Sequence, residues 1–298
     1  MPKVAFVTGA ARGIGRAIAI DLARHGFDII GSARSLDKPT FEDKPGTLLE
    51  TAEQVARLGQ KFLPLKMDLL EQSEIKSGFE KAMTEMGRLD LLVTSGNYME
   101  TGPQGTYTNK FIDVPWDAFE RHIRITGLST LFLNQLAAQL MVKQRAGVII
   151  NITQNAVWLN DSDAVDHAPL PGEGMPGMAV SVMRGITDRI PASIKREMKP
   201  YGVAVLTLDP GMTISVDRQL WPLVETIGYR PQIAHSVAVP ARAVVHIATS
   251  PDPLQFSGRL IVAPEHVREH RLLTEDQMYP NPEAGIQDVT LLPSLRLA

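Results

Sequence analysis

The sequence predicts an α/β protein: a doubly wound parallel sheet of about seven strands with helices on both faces. Three observations carry this. Short apolar runs alternate with longer amphipathic stretches from Val4 to Val262. The short runs are apolar throughout, which marks strands buried on both faces. A glycine-rich loop joins the first run to the first helical stretch, where a parallel α/β unit would place a ligand.

The elements follow in order. Val4 to Val7 is β-rich and ends in Thr8-Gly9. Ile14, Ala17, Ile18 and Leu22 then recur at helical spacing, and Gly26 stops that helix. Asp28 to Gly31 is the second strand, and Ala52 to Leu58 is a helix closed by Gly59. Phe62 to Leu65 leads to Asp68, Ile75 to Met86 is helical, and Leu89 to Val93 is the next strand. A long helix runs from about Trp116 to Lys143, followed by the strand Gly147 to Ile152. A helix from Met178 to Lys199 precedes the strand Val203 to Leu208. Ala241 to Thr249 is helical, and Arg259 to Val262 is the last strand. One domain, 1–263, accounts for all of these and carries an inserted loop at about 155–177, rich in Asp, Gly and Pro. Residues 264–298 read as a C-terminal extension. A loop of that length inside a compact domain is a functional or mobile feature.

Composition excludes several classes. The 30 basic and 33 acidic residues leave a net charge of −3, with no basic footprint for nucleic acid or an anionic membrane. The absence of cysteine removes disulfides, thiolate nucleophiles and iron–sulfur clusters. No apolar run approaches the roughly 20 residues that span a bilayer. The N-terminal apolar strand is needed for the fold, so it does not read as a removable signal. A cytoplasmic location is therefore expected.

The loop reads Thr8-Gly9-Ala10-Ala11-Arg12-Gly13-Ile14-Gly15. Glycines there let the backbone turn tightly and approach a pyrophosphate, whose charge the following helix N-terminus stabilises. With Thr8 in front, this Gly-x-x-x-Gly-x-Gly spacing resembles the short-chain dehydrogenase/reductase family, and the resemblance runs in order to about residue 263. Asp68-Leu69, the strand ending in Val93, Gly147 to Thr153, Pro200-Tyr201-Gly202 and Asp209-Pro210-Gly211 fall where that family has its landmarks. The resemblance implies a Rossmann-type fold, an NAD(P)(H) cofactor and hydride transfer to or from a small organic substrate. It places Gly9, Ala11, Arg12, Gly13, Ile14 and Gly15 on the pyrophosphate side and Asp68 and Leu69 near adenine. It places Ser95 and Gly96 after the fourth strand, Pro210, Gly211 and Thr213 near nicotinamide, and Arg184 on the ribose. An acid at the end of the second strand would bind a ribose 2′-hydroxyl and repel a 2′-phosphate. Ala33 stands there, followed by Arg34, with Arg12 in the loop, which suits NADP(H).

Family members use Asn, Ser, Tyr and Lys in catalysis. The resemblance carries these positions to Thr126, Gln154 (or Thr153 with a one-residue slip), Val180 and Arg184. Val180 can neither donate nor accept a proton, and Arg184 stays charged at any useful pH. The inserted loop carries Trp158, Asp166 and His167, and His167 is the candidate acid/base because an imidazole titrates near neutrality. Tyr98 and Tyr107 are alternatives. No metal is expected: Asp161, Asp163 and Asp166 lack the glycine and terminal glutamate of a calcium loop, and His266 and His270, four apart, lack the glutamate of the metalloprotease pattern. Other readings stay open: a nucleotide-binding sensor or inactive subunit, or a non-redox enzyme on the same fold. A homodimer or homotetramer is expected through the helices at Trp116–Lys143 and Met178–Lys199. The tail, with Val289, Leu291, Leu292, Leu295 and Leu297, would pack on a neighbour or on its own subunit.

Overall fold

Seven of the apolar runs pair into one parallel sheet. The computed structural model describes residues 2–40, 46–96, 111–153, 178–214 and 234–279. In chain order the main elements are β1 (Lys3–Thr8), α1 (Gly13–Arg24), β2 (Phe27–Ala33), α2 (Leu48–Arg57), β3 (Phe62–Lys66), α3 (Gln72–Met86) and β4 (Leu91–Thr94). There follow α4 (Trp116–His122), a π-helical turn (Ile123–Leu128), α5 (Ser129–Gln144), β5 (Gly147–Ile152), α6 (Met178–Met198) and β6 (Val203–Asp209). The chain continues through β7 (Thr213–Ile214), β8 (His235–Ser236), α7 (Ala238–Thr249), β9 (Leu260–Val262), α8 (Ala263–Glu269) and α9 (Glu275–Met278). The sheet order is β3-β2-β1-β4-β5-β6-β9, and β7 pairs with β8 apart from it. The chain winds outward from β1 through β3, then returns to start again at β4. The seam between β1 and β4 is thus the switch point, where such sheets open a crevice beyond their carboxyl ends.

The two-sided core explains the unbroken apolar runs. Side chains alternate along a strand. Ala5 and Val7 join one buried cluster, with Ile18 and Leu22 of α1 and Val244 of α7. Val4 and Phe6 join the other, with Phe79 of α3 and Leu133 of α5. Every residue of β6 is buried.

Some boundaries move, each for a local reason. α2 begins at Leu48 because Thr47 caps it: its Oγ1 accepts from Glu50 N at 3.2 Å, and its N–H donates to Glu50 Oε2 at 3.1 Å. β4 begins at Leu91 because the Leu89 N–H donates to Gln144 Oε1 at 3.2 Å instead of to a strand. α4, the π turn and α5 form one continuous 29-residue helix with a mean hydropathy of 1.3 in its most apolar window. Contrary to the sequence expectation, that helix is long and apolar enough by composition to cross a bilayer. Its polar residues are mostly uncharged, and 56% of the window is buried in the protein, as suits a core helix. The stretch read as an extension also contributes to the core: Val267, Leu273 and Met278 are buried in the cluster that holds α1 and α7. Residues 280–298, with the tail's leucines, lie outside the described residues.

Candidate active site

The glycine turn closes on itself. Gly9 has φ +71°, and its N–H donates to Ser32 O of β2 at 2.8 Å. A Cβ on Gly15 would lie 2.4 Å from Gly9 O, so only glycine lets α1 start this close to β1. Gly13 and Ile14 open α1, and Arg12 before them is extended and offers no side-chain cap. No acid stands in the first turn. The first backbone N–H groups and the positive end of the helix thus suit an anion. Ala11 is buried at the back of the loop, which is braced by Thr51 Oγ1 donating to Ala10 O at 2.9 Å. This cradle fits the pyrophosphate of a dinucleotide.

The residues that the resemblance assigns to the adenosine side lie at the turns after β2, β3 and β4. Arg12 Nη2 donates to Ser35 Oγ at 2.6 Å, and Thr40 N donates to the same oxygen at 3.0 Å. The Arg12 guanidinium is therefore held at the turn after β2, beside the exposed Arg34. Asp68 folds its own turn, accepting from Leu70 N at 3.0 Å. The Leu69 Cδ1 methyl lies over Gly96, where an added Cβ would meet it at 2.6 Å. Thr8 Oγ1 accepts from Ser95 N at 2.9 Å and Gly96 N at 2.8 Å, fastening the end of β4 to the end of β1. At the end of β6, Gly211 N donates to Asp209 Oδ1 at 2.9 Å and Thr213 Oγ1 donates to Pro210 O at 2.8 Å.

The reaction end combines expected and unexpected residues. Arg184 is buried on α6, and its Nη1 donates to Ile152 O, the last residue of β5, at 2.8 Å. Thr126 is buried in the π turn, which packs against α6. Gln154, His167, Tyr98 and Tyr107 lie outside the described residues, as does the side chain of Val180. His122, Asp188 and His235 are additions that the sequence reading missed. Burial, then the charge of Arg184, pushes the His122 imidazole down to about 4. Burial raises the Asp188 carboxyl to about 6; the Thr153 hydroxyl and Arg184 oppose this, and Asp209 adds to it. Asp188 Oδ1 and Thr187 Oγ1 have no hydrogen-bond partner among the described residues. His235 stacks on Tyr279 at 5.2 Å beside the Gly211 turn, and burial lowers its pKa. Asp188 was findable: it lies four residues after Arg184 and so shares its helix face.

A cluster of buried charge and hydroxyls at the ends of β5 and β6, next to a pyrophosphate cradle, can orient a nucleotide and hold a proton. Comparisons with known proteins bear on the family and the fold. The family described as short chain dehydrogenase matches residues 3–159. Among curated proteins, mouse "Dehydrogenase/reductase SDR family member 1" is 29% identical over 286 residues, covering 91% of this chain and 82% of the relative. Its human counterpart is 27% identical, covering 92% and 83%. Among solved structures, acetoin dehydrogenase YohF from Salmonella typhimurium superposes with a TM-score of 0.66 at 25% identity, covering 88% of this chain and 95% of that one. A short-chain type dehydrogenase/reductase from Mycobacterium marinum shares the fold with a TM-score of 0.69 at 20% identity, covering 87% and 93%. A family match across half of the sequence makes this chain a member of the short-chain dehydrogenase/reductase family of NAD(P)(H)-binding oxidoreductases.

Proposed function

We propose that the protein is an NADP(H)-preferring oxidoreductase acting on a small carbonyl or alcohol through a non-standard catalytic set. The observation that supports it is Arg12, pinned by Ser35 next to Arg34 at a strand end where no acid stands. A planar guanidinium binds phosphate oxygens in pairs and suits a 2′-phosphate. The bound cofactor would supply the hydride. The chain's own groups do the rest. The glycine turn and α1 hold the pyrophosphate, and Arg184, anchored to the end of β5, orients the ribose. Arg184 stays charged, so the proton at the substrate oxygen comes from His167 or water. Calorimetric titration should show tighter binding of NADPH than NADH. Arg34→Ala should weaken NADPH about tenfold and NADH little, the low end for a charge-assisted contact because Arg34 is exposed. Equal or reversed affinities would discard the preference. Stereospecific oxidation of NADPH with a carbonyl and imine panel tests the chemistry, and binding without turnover would favour a sensor or inactive subunit. Loss of turnover in His167→Ala would assign the proton; full turnover would move it to water, Tyr98 or Tyr107.

The same reading includes pairing of subunits. Leu128, Leu131 and Val182 are exposed apolar side chains on the π turn, α5 and α6. Leu131 and Val182 line a groove of about 480 Å³ together with Ile186, Ile190 and Ile194. Light scattering should give a dimer or tetramer mass at micromolar concentration, and Val182→Glu should lower it. A monomeric wild type would end this part of the reading.

A further inference from the structure

We propose that His246, His266 and His270 form a site for a zinc-class divalent cation, separate from the nucleotide crevice. His246 lies in the last turn of α7. His266 lies on α8, and His270 is that helix's C-cap residue. Spacing of four residues puts the latter two rings on one face, and packing of α8 on α7 brings the third against them. Their candidate ligand nitrogens all lie within 4.8 Å of one another. His246 Nδ1 is 2.9 Å from His266 Nε2, and the ring centroids stand 4.4–5.0 Å apart. Imidazole nitrogens about 2.0–2.1 Å from a tetrahedral zinc are about 3.3 Å from each other. The first pair is already near that spacing, and the exposed His270 closes the triangle by turning its ring.

Two nitrogens 2.9 Å apart can share only one proton, so at least one lone pair points into the cluster. Burial keeps the His246 and His266 rings below the ordinary histidine range. Phe256 packs edge-on against both, walling off one side. Among the described residues, none of the three is ion-paired with a carboxylate, so only imidazole donors are offered. Such a donor set takes Zn²⁺, Ni²⁺, Cu²⁺ or Co²⁺ and not Mg²⁺ or Ca²⁺, which require oxygen. His270 is exposed, which gives entry and leaves the fourth position to water. From sequence alone, His266 and His270 carry no metal; the missing ligand lies twenty residues earlier, on another helix. The ion would clamp α8 to α7. α8 also carries Pro264, whose ring sits against the Gly211 turn, so the clamp would stiffen one wall of the crevice: a Cβ on Gly211 would lie 2.7 Å from Pro264 Cγ.

The test uses the full chain stripped of metal and titrated with Co²⁺ and with Zn²⁺. One equivalent of Co²⁺ should bind with the visible absorption of tetrahedral nitrogen ligation, and Zn²⁺ should displace it. Zn²⁺ should raise the melting temperature of the wild type. His270→Ala, at an exposed helix end, should keep the fold by circular dichroism, lose the Co²⁺ spectrum and weaken Zn²⁺ by at least about tenfold. His167→Ala should leave metal binding unchanged. Absence of stoichiometric Co²⁺ binding would overturn the proposal. So would binding undiminished in His270→Ala, which would place the ion elsewhere and leave the three rings as a hydrogen-bonded stack.

Discussion

Arg242→Ala should cost the fold about 3–5 kcal/mol, the expected penalty for leaving a buried charge without its partner. Arg242 of α7 and Asp21 of α1 are both almost wholly buried, and Arg242 Nε donates to Asp21 Oδ2 at 3.0 Å while Nη2 reaches Oδ1 at 3.3 Å. The pair joins the C-terminal part of α1 to α7. Removing the guanidinium leaves the buried carboxylate with His25 alone, whose Nδ1 lies 3.6 Å from Oδ1, and opens a cavity of the Arg242 side chain. Urea unfolding of wild type and variant measures the loss, and a change below about 1 kcal/mol would show that water reaches Asp21. The double replacement Asp21→Leu with Arg242→Met should recover part of the loss, because the apolar pair needs no ion partner while the buried His25 loses its own.

Asp188→Asn should stabilise the protein by about 2 kcal/mol at pH 7–8. The carboxyl is raised from 3.8 to about 6, mainly by burial. Two pKa units correspond to about 3 kcal/mol, reduced here because Asp188 is half-buried and not fully enclosed. The sign follows from linkage. Below about pH 4 the group is neutral in both folded and unfolded chains, and variant and wild type should match. As pH rises through 6 the unfolded chain has already ionised while the folded one resists, so the wild type loses stability that the variant keeps. The depressed His122 acts the other way, its contribution being full above 6.5 and lost as pH falls through about 4. It is common to both proteins and cancels in their difference. Chemical denaturation from pH 4 to 8 reads the gap, and a gap that shrinks with rising pH would show Asp188 to be held by a partner.

The sheet was legible because its signal is local and redundant. Apolar runs such as Val203 to Leu208 become fully buried strands, and Thr8 to Gly15 can turn only one way between β1 and α1. The turns that hold Arg12, Leu69 and Gly96 were legible for the same reason, since all three lie beside strand ends. Polar groups brought together from distant segments were harder to foresee. Asp188 and His122 both feel the charge of Arg184 only because α6 packs on β5 and β6 while α4 packs on α6, and no spacing in the chain encodes that. The histidine cluster has the same character: the i, i+4 pair is visible, while His246 arrives by helix packing. The Thr47–Glu50 capping box was visible in sequence and simply outweighed by the apolar periodicity that begins later.

The π-helical turn Ile123–Leu128 bears on how the long helix tolerates changes of length. Such a turn holds one residue more than the α-helix would, and each residue in an α-helix is worth about 100° of rotation. The wide turn absorbs its extra residue, so α4 and α5 keep the faces that one unbroken α-helix would give them. Deleting a single residue there should restore regular winding without turning α4 against α5, and His122 should keep its place facing α6. Deleting a residue from the regular part of α5 has no such slack and would turn one half against the other by about 100°. The turn is therefore the one stretch of this helix where a change of length by one residue should be tolerated.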